Sequence, residues 1–228
     1  MKAAIPAAFV AAIIAGMPPA IAQLDRISNR EAVVGLKAAL EKGAQAAVAA
    51  LGRTDGFFGN PQVRIPLPES LERTERLMRR VGLGKNADEL VLALNRAAEA
   101  AVPEARKLLV DAVKKMTFDD AKGILRGGET SATEYFRRST GGELRKRFLP
   151  IVERTTARVN LAQKYDEYAA HGVALGLVKK EHADLDEYVT QQALDGLFFM
   201  VGEEEKKIRR DPVKSASSII RRVFGAVR

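Results

Sequence analysis

Polar side chains spaced by one helical turn mark the first place where this sequence could carry chemistry. Asn95, Arg96 and Glu99 are three and four residues apart, so on a helix Asn95 and Arg96 both lie beside Glu99. The alanines around them would let other helices approach closely, which could enclose Glu99 in a partly buried pocket suited to acid–base catalysis. A surface Arg–Glu pair, or a buried hydrogen-bond network between helices, is the alternative that we favour.

Asp195 is a charged residue inside an otherwise apolar stretch, Ala-Leu-Asp-Gly-Leu-Phe at 193–198. A buried carboxylate is costly without a partner, so the sequence predicts an arginine next to it. Gly196 would cost a helix interior about 1 kcal/mol relative to alanine, which indicates that another element approaches closely there. We favour a structural ion pair over a catalytic role for Asp195.

Residues 52–68 are the longest irregular piece of the sequence, and we call them the 52–68 segment. Apolar side chains, among them Phe57, Phe58 and Leu67, mix there with Arg64 and three prolines. A stiff loop of this kind could line a ligand site in which Arg64 clamps a carboxylate or a phosphate. The alternative, which we favour, is a structural strap that buries the apolar residues and pairs Arg64 with a nearby acid.

Several chemistries lack the residues that they need. The chain contains no cysteine, which removes thiol catalysis, thiolate metal sites and disulfides. Its two histidines, His171 and His182, stand in no Glu-x-x-His or His-Glu-x-x-His motif. The sequence also has no Gly-x-Ser-x-Gly turn and no dinucleotide fingerprint. We therefore predict no metal and no cofactor, and we lean against an enzyme.

The elements that position these residues are predicted to be helices throughout. Apolar residues recur every three or four positions, as in Val33, Leu36, Leu40, Ala44, Val48 and Leu51, and again in Leu185, Tyr188, Val189, Ala193, Leu197, Met200 and Val201. No stretch alternates for long enough to predict a strand. We expect an all-α fold, a single-domain bundle of about eight helices with one long proline-rich loop, the 52–68 segment.

Predicted helix boundaries agree with this pattern. Six pairs have the capping-box spacing of an N-cap side chain three residues before an acid: Ser28/Glu31, Asn86/Glu89, Thr117/Asp120, Ser131/Glu134, Thr140/Glu143 and Asp184/Glu187. Gly82 and Gly127-Gly128 fall where helices should end. Pro103 predicts either a kink or the first turn of a new helix. Glu203-Glu204-Glu205, with basic residues close behind, predicts a solvated face with salt bridges.

The N-terminus has the order of a secretory signal peptide. Lys2 precedes an uncharged apolar run over residues 3–16, and Ala20-Ile21-Ala22 follows two prolines. The run is too short to cross a bilayer, which takes about 20 residues. We predict a signal peptide over 1–22, cleavage between Ala22 and Gln23, a periplasmic location and one helical domain over 23–228, with no transmembrane segment.

The chain is basic, with a formal net charge of +8. An exported basic protein would concentrate near the anionic lipids and polymers of a bacterial envelope. The absence of tryptophan and the few aromatic residues argue against nucleic acid as a partner. An apolar stripe bordered by basic residues predicts an amphipathic helix over 213–228, which docks either on the domain itself, the option we favour, or on an anionic membrane. The oligomeric state stays open.

Several motifs together resemble a known family. They are Asn-Pro-x-Val-Arg-Ile-Pro-Leu-Pro at 60–68, Leu-Asn-Arg-Ala-Ala-Glu-Ala-Ala-Val-Pro-Glu-Ala at 94–105, Met-Thr-Phe-Asp-Asp-Ala at 116–121, Ile-Leu-x-Gly-Gly at 124–128, Tyr-Phe-Arg-Arg at 135–138 and Ala-Leu-Asp-Gly-Leu-Phe at 193–198. This set resembles the bacterial family called domain of unknown function 4197, over residues 31–225. The resemblance implies one family domain in an exported protein, and it implies no activity, cofactor or catalytic residue.

Three functional hypotheses follow from the residues. The first is a periplasmic, non-enzymatic protein that binds an amphiphilic, lipid-like anion or an envelope protein through Phe57, Phe58, Arg64 and Leu67, with Asn95, Arg96, Glu99 and Asp195 as further candidate site residues. The second is an envelope hydrolase that uses Glu99 or Asp195. The third is a structural or assembly factor that acts through the C-terminal amphipathic helix.

Overall fold

The computed structural model describes residues 29–158, apart from 81 and 83, and residues 185–211. This part of the chain contains α-helices and one short 3-10 turn, and no strand. The helices are α1 (Asn29–Leu51), α2 (Glu69–Arg80), α3 (Gly84–Ala101), α4 (Ala105–Lys115), α5 (Phe118–Arg126), α6 (Ser131–Arg158) and α7 (Leu185–Arg210). The all-α prediction is confirmed for the described residues.

Some predictions concern other residues. The signal peptide over 1–22, the amphipathic helix over 213–228 and both histidines lie outside the described residues. The count of about eight helices refers to the whole chain, so it stays a prediction. Within the part of the chain that can be searched, no helix has the length and apolar composition that a membrane span requires.

Helix α7 packs on α6, α1 and α3. The apolar faces predicted for α1 and α7 are the faces that the fold buries, with Leu36 and Leu51 of the first and Val189 and Leu197 of the second fully inaccessible. Burial of these stripes provides the main driving force for helix association, because each large aliphatic side chain removed from water contributes about 1.5–3 kcal/mol. The 3.6-residue period therefore predicted the core correctly in both helices.

Helix α6 continues through the point where we predicted a new helix to begin. Thr140 is buried, and its hydroxyl donates a hydrogen bond to the carbonyl of Phe136 one turn earlier, at 2.7 Å, instead of capping a helix start. Every fourth residue of this helix is buried, which gives one continuous stripe: Phe136, Thr140, Leu144, Phe148, Val152 and Thr156. The predicted start at Thr140/Glu143 is wrong, because a Ser or Thr in a helix interior can bond backward and leave the helix intact.

Other boundaries follow local chemistry. Thr117 and Asp120 form the predicted capping box at the start of α5, with the Asp120 N–H donating to the Thr117 hydroxyl at 3.1 Å. Gly82 has φ of +82° and follows the end of α2 as predicted. Pro103 lies in the 3-10 turn Val102–Glu104 that joins α3 to α4. The predicted start at Asn86 is displaced, because α3 already begins at Gly84.

Candidate functional site

Glu99 of α3 holds the start of the 52–68 segment. Its side chain is buried, with the residue 5% exposed, and one carboxylate oxygen accepts hydrogen bonds from the backbone N–H groups of Phe57 and Phe58, both at 3.1 Å. The other oxygen lies 2.6 Å from Nη1 of Arg96. Both oxygens of Glu99 therefore face donors from the protein itself, and Glu99 anchors the segment to α3.

Arg96 extends this network to the surface. Its second nitrogen, Nη2, lies 2.7 Å from a carboxylate oxygen of Asp55, which adopts a positive φ of 62°. Aspartate tolerates that left-handed conformation better than most residues. Hydrogen bonds to Glu99 first and to Asp55 second raise the pKa of the Arg96 guanidinium above its usual value. Arg96 thus bridges the buried carboxylate of Glu99 and the exposed carboxylate of Asp55.

Asn95 holds the second half of the segment. Its side-chain carbonyl accepts a hydrogen bond from the backbone N–H of Ile65 at 2.9 Å, and its amide donates to the carbonyl of Ile65 at 2.8 Å. The Asn95 side chain therefore pairs with both backbone groups of Ile65, as a residue of a neighbouring β-strand would. The second amide hydrogen goes to the Val91 carbonyl of α3 at 2.7 Å, so the fully buried Asn95 uses both its donor and its acceptor groups.

Helix α7 contacts the segment from the other side. The ring of Phe57 lies so close to Gly196 that a Cβ added there would stand 2.6 Å from Cε1 of the ring. Farther along, the hydroxyl of Tyr188 donates to the carbonyl of Pro66 at 3.0 Å. The close approach predicted from Gly196 is therefore present, and the approaching group is an aromatic ring of the 52–68 segment.

The candidate residues of the segment divide into buried and accessible ones. Phe57 and Leu67 are packed into the core, together with Ile65. Phe58 is only partly buried and Arg64 is exposed. A ligand could reach the second pair without moving the first, so any binding role for Phe57 and Leu67 would require the segment to rearrange.

Phe58, Arg64 and Arg96 form one continuous accessible surface, which we call the Phe58 surface. The Cζ atom of Arg64 lies 4.4 Å from the centroid of the Phe58 ring, and that of Arg96 lies 5.8 Å from it. Both distances fall within the range of cation–π attraction. Arg96 already has two carboxylate partners, whereas Arg64 makes no ion pair among the residues that the structure describes.

Comparison with known families adds one result. A family described as a protein of unknown function, DUF4197, matches residues 26–225. The chain belongs to this family. The resemblance inferred from the motifs is confirmed, and the match includes the whole 52–68 segment and all of α1 to α7. No curated protein and no solved structure matches the chain.

In the DUF4197 domain, Asp195 has partners of its own, which differ from those of Glu99. Its carboxylate pairs with Nη1 of Arg137 at 2.9 Å and accepts a hydrogen bond from Gln191 at 2.9 Å. The side chain is 45% exposed, so the pair belongs to the surface, where such pairs contribute about 0–1 kcal/mol. The structure supplies the arginine that the sequence predicted, but it gives Asp195 and Glu99 separate partners.

Glu205 is a buried carboxylate that sequence reasoning placed incorrectly on a solvated face. It is 4% exposed and accepts hydrogen bonds from the N–H groups of Ala132 and Thr133, at 3.0 and 2.9 Å, at the start of α6. Arg209, one turn later on α7, lies 2.8 Å from the same carboxylate. Glu203 and Glu204 do form the predicted surface pairs with Lys206 and Lys207. The heptad-like spacing Phe198–Val201–Glu205, which continues the buried stripe, was the signal that could have identified Glu205.

The surroundings of Glu205 leave little room for a ligand. The cavity beside it, lined by Leu40, Phe136 and Val201 among others, has a volume of about 10 Å³. That volume holds one water molecule at most. In the described part of the chain, no three His, Asp or Glu side chains are grouped so that they could hold a metal ion.

Proposed function

We propose that this chain is a non-enzymatic binding protein of the bacterial envelope that holds an anionic amphiphile against the Phe58 surface. The carboxylate or phosphate of the ligand pairs with Arg64, and its apolar part contacts the ring of Phe58. Export rests on the signal-peptide order of residues 1–22, and an envelope location would expose the protein to anionic lipids.

The observation that carries the proposal is the state of Arg64. This guanidinium is exposed, is held over an aromatic ring and has no carboxylate partner among the described residues. Arginine presents its donors in a planar fork that fits a carboxylate or a phosphate with two parallel hydrogen bonds. A stacked arginine loses less side-chain freedom on binding than a free one, which favours affinity.

The anchoring of the 52–68 segment supports the same proposal. Asn95 and Glu99 bind its backbone from α3, and Tyr188 and Gly196 contact it from α7. A loop fixed on both sides presents Arg64 and Phe58 in one geometry, so little ordering of the protein is needed when a ligand arrives.

The occupied oxygens of Glu99 favour binding over hydrolysis. A general acid or base must be within hydrogen-bond reach of the substrate. Glu99 faces Phe57 N, Phe58 N and Arg96, and its displacement from these donors would leave the buried N–H of Phe57 without an acceptor.

Calorimetric titration with monomeric dodecyl phosphate tests the proposal. Replacing Arg64 by Ala removes the charge-assisted hydrogen bonds, so affinity should fall by a factor of about 10 or more. Phe58→Ala should also weaken binding, and Arg64→Lys should give an intermediate value. Arg76→Ala is the matched control, because Arg76 is an exposed arginine whose ion pair is a local one with Glu72. Equal affinity in Arg64→Ala, or equal binding of neutral dodecyl maltoside, would refute this function.

The export half of the proposal has its own test. The full-length chain is expressed in a Gram-negative host, and the N-terminus of the purified protein is determined. A mature protein that begins at Gln23 agrees with cleavage after Ala22. A mature protein that begins at Met1 would remove the argument for a periplasmic location and leave the binding test unaffected.

A further inference from the structure

Exposed apolar side chains are rare on the described surface, and two of them lie on helices that pack on each other. Val34 on α1 is 49% exposed and Phe118 at the start of α5 is 42% exposed; the third large one, Phe199, lies on α7. Single exposed apolar residues need no explanation. Two on neighbouring helices, among side chains that are mostly basic, indicate a surface with a partner.

Lys37 bridges the two parts of the chain that carry these residues. It stands one turn after Val34 on the same face of α1, and its ammonium donates to the carbonyls of Met116 at 2.8 Å and Lys114 at 3.3 Å. Met116 is two residues before Phe118, which is a reach of about 7 Å. The ammonium of Lys122 lies 4.4 Å from the centroid of the Phe118 ring. Lys37 therefore ties the helix that carries Val34 to the backbone just before Phe118.

The surrounding charge is predominantly positive. Lys114 and Lys115 are exposed at the end of α4, and Arg138 of α6 is close enough to Asp120 to help lower the pKa of that carboxyl, after the larger effects of the hydrogen bonds from Thr117. The whole group of basic residues is Lys37, Lys114, Lys115, Lys122 and Arg138. Three acids are present, Asp111, Asp119 and Asp120; Asp111 is already paired with Lys107 and Asp120 is engaged with Thr117.

We propose that the surface formed by Val34, Phe118 and these basic residues docks the protein on an anionic phospholipid bilayer. Phe118 and Val34 enter the interface between headgroups and acyl chains, and the basic side chains lie at the level of the lipid phosphates. We call it the Phe118 surface. It is distinct from the Phe58 surface, because Lys37 and Leu51 are separated by roughly 20 Å along α1 and the 52–68 segment begins after Leu51.

The form of the Phe118 surface distinguishes a bilayer from other occupants. Several of its cations are lysines on long flexible stems, and Lys114 and Lys115 are exposed. Such charges suit a diffuse anionic plane, whereas one bound phosphate is usually recognised by arginines in a fixed arrangement. The excess of positive charge also opposes pairing with a second copy through the same face, because like charges would then meet.

Sedimentation with lipid vesicles tests this proposal on the full chain. Vesicles of phosphatidylcholine with one quarter phosphatidylglycerol are compared with vesicles of phosphatidylcholine alone. The protein should bind the first kind and not the second, and binding should fall as salt rises through the physiological range. Equal binding to both kinds of vesicle would overturn the electrostatic half of the proposal.

Two variants test the two halves of the surface separately. Phe118→Ala should lower the partition coefficient about tenfold, because the ring no longer enters the interface. Replacing Lys114 and Lys115 by Glu should lower it by a factor of about 30 or more. Phe199→Ala and Lys85→Glu are the matched controls, since Phe199 and Lys85 are exposed on α7 and α3, outside the Phe118 surface. The affected residues are exposed, so thermal melting should be unchanged in the three single variants. It should fall slightly in the double variant, because Lys114 and Lys115 complement the C-terminal dipole of α4.

Other outcomes refute the proposal in different ways. Unchanged vesicle binding in both test variants would place the contact elsewhere. A loss of binding in Arg64→Ala with none in Phe118→Ala would assign the lipid contact to the Phe58 surface. A dimer seen by analytical ultracentrifugation that Phe118→Ala dissociates would make a second copy the occupant. The vesicle result is independent of the dodecyl phosphate titration, so either proposal can fail alone.

Discussion

Removal of the Glu99 carboxylate should destabilise this protein strongly. Glu99→Ala leaves two backbone donors, the N–H groups of Phe57 and Phe58, without their acceptor, and the first of them is buried. An unsatisfied buried donor costs about 1–3 kcal/mol, so the two together with the lost Arg96 pair amount to about 3 kcal/mol. In a domain of this size 1 kcal/mol shifts the melting temperature by about 2–4 °C. We expect a decrease of roughly 6–12 °C.

The isosteric variant divides this effect into two parts. Both N–H groups donate to the same oxygen of Glu99, so the carbonyl oxygen of Glu99→Gln can accept both. Its amide then faces Arg96, which must turn away because both groups are donors, and the pair with Arg96 is lost. Its cost should be about half that of the alanine variant. The control is Glu143→Ala, because Glu143 forms an exposed one-turn pair with Arg147 and should change stability by less than about 0.5 kcal/mol.

Urea denaturation followed by circular dichroism measures these differences. If Glu99→Ala were as stable as the Glu143→Ala control, the anchoring role would be wrong. A gain in stability would point instead to a catalytic residue, because active-site groups are often held at a cost in stability that their removal relieves.

Two further predictions concern the contact between the 52–68 segment and α7. Gly196→Ala should lower the free energy of unfolding by about 1–3 kcal/mol, because the new Cβ meets the buried ring of Phe57. Gly142→Ala is the control, and it should raise the free energy of unfolding by up to about 1 kcal/mol through helix propensity, because nothing lies within 4 Å of its new Cβ. If urea denaturation gave both changes the same sign, the close packing of Phe57 on Gly196 would be contradicted. Burial, and secondarily Glu72, raises the pKa of Tyr188, so its contribution to stability is complete below about pH 10 and is lost as pH rises through the folded-state pKa. Absorbance at 295 nm should show this late ionisation beside that of Tyr135, whose pKa burial also raises, and a late amplitude that Tyr188→Phe leaves undiminished would refute the assignment.

The fold was predictable where burial follows a helical period. The stripes of α1 and α7 are the buried faces, and the capping box at Thr117 lies at the start of α5. The error at Thr140 has a different origin. A threonine followed three residues later by an acid has the same sequence pattern at a helix start and in a helix interior, and only the partner of its hydroxyl decides between them.

The polar residues of the site were harder to place than the apolar ones. Sequence spacing predicted that Arg96 meets Glu99, and it does so at 2.6 Å. It could not predict that Glu99 also accepts from Phe57 and Phe58, because those contacts join residues about 40 positions apart. Glu205 shows the same limit, since its partners at 132 and 133 are about 70 positions away. A run of charged residues predicts a solvent-exposed face only where no helix terminus packs against that run.

Glu99 and Glu205 are buried carboxylates that are stabilised by the same arrangement of partners, and this arrangement bears on the function. Each is buried, each accepts two consecutive backbone N–H groups, and each has an arginine on its own helix within one turn. A carboxylate that anchors the fold needs hydrogen-bond donors from the protein at both oxygens, whereas a catalytic carboxylate needs one oxygen directed toward the substrate. The two most buried acids of the described chain are therefore committed to the fold. Arg64, an exposed charge that stacks on Phe58 and has no such partner among the described residues, still has an interaction to make.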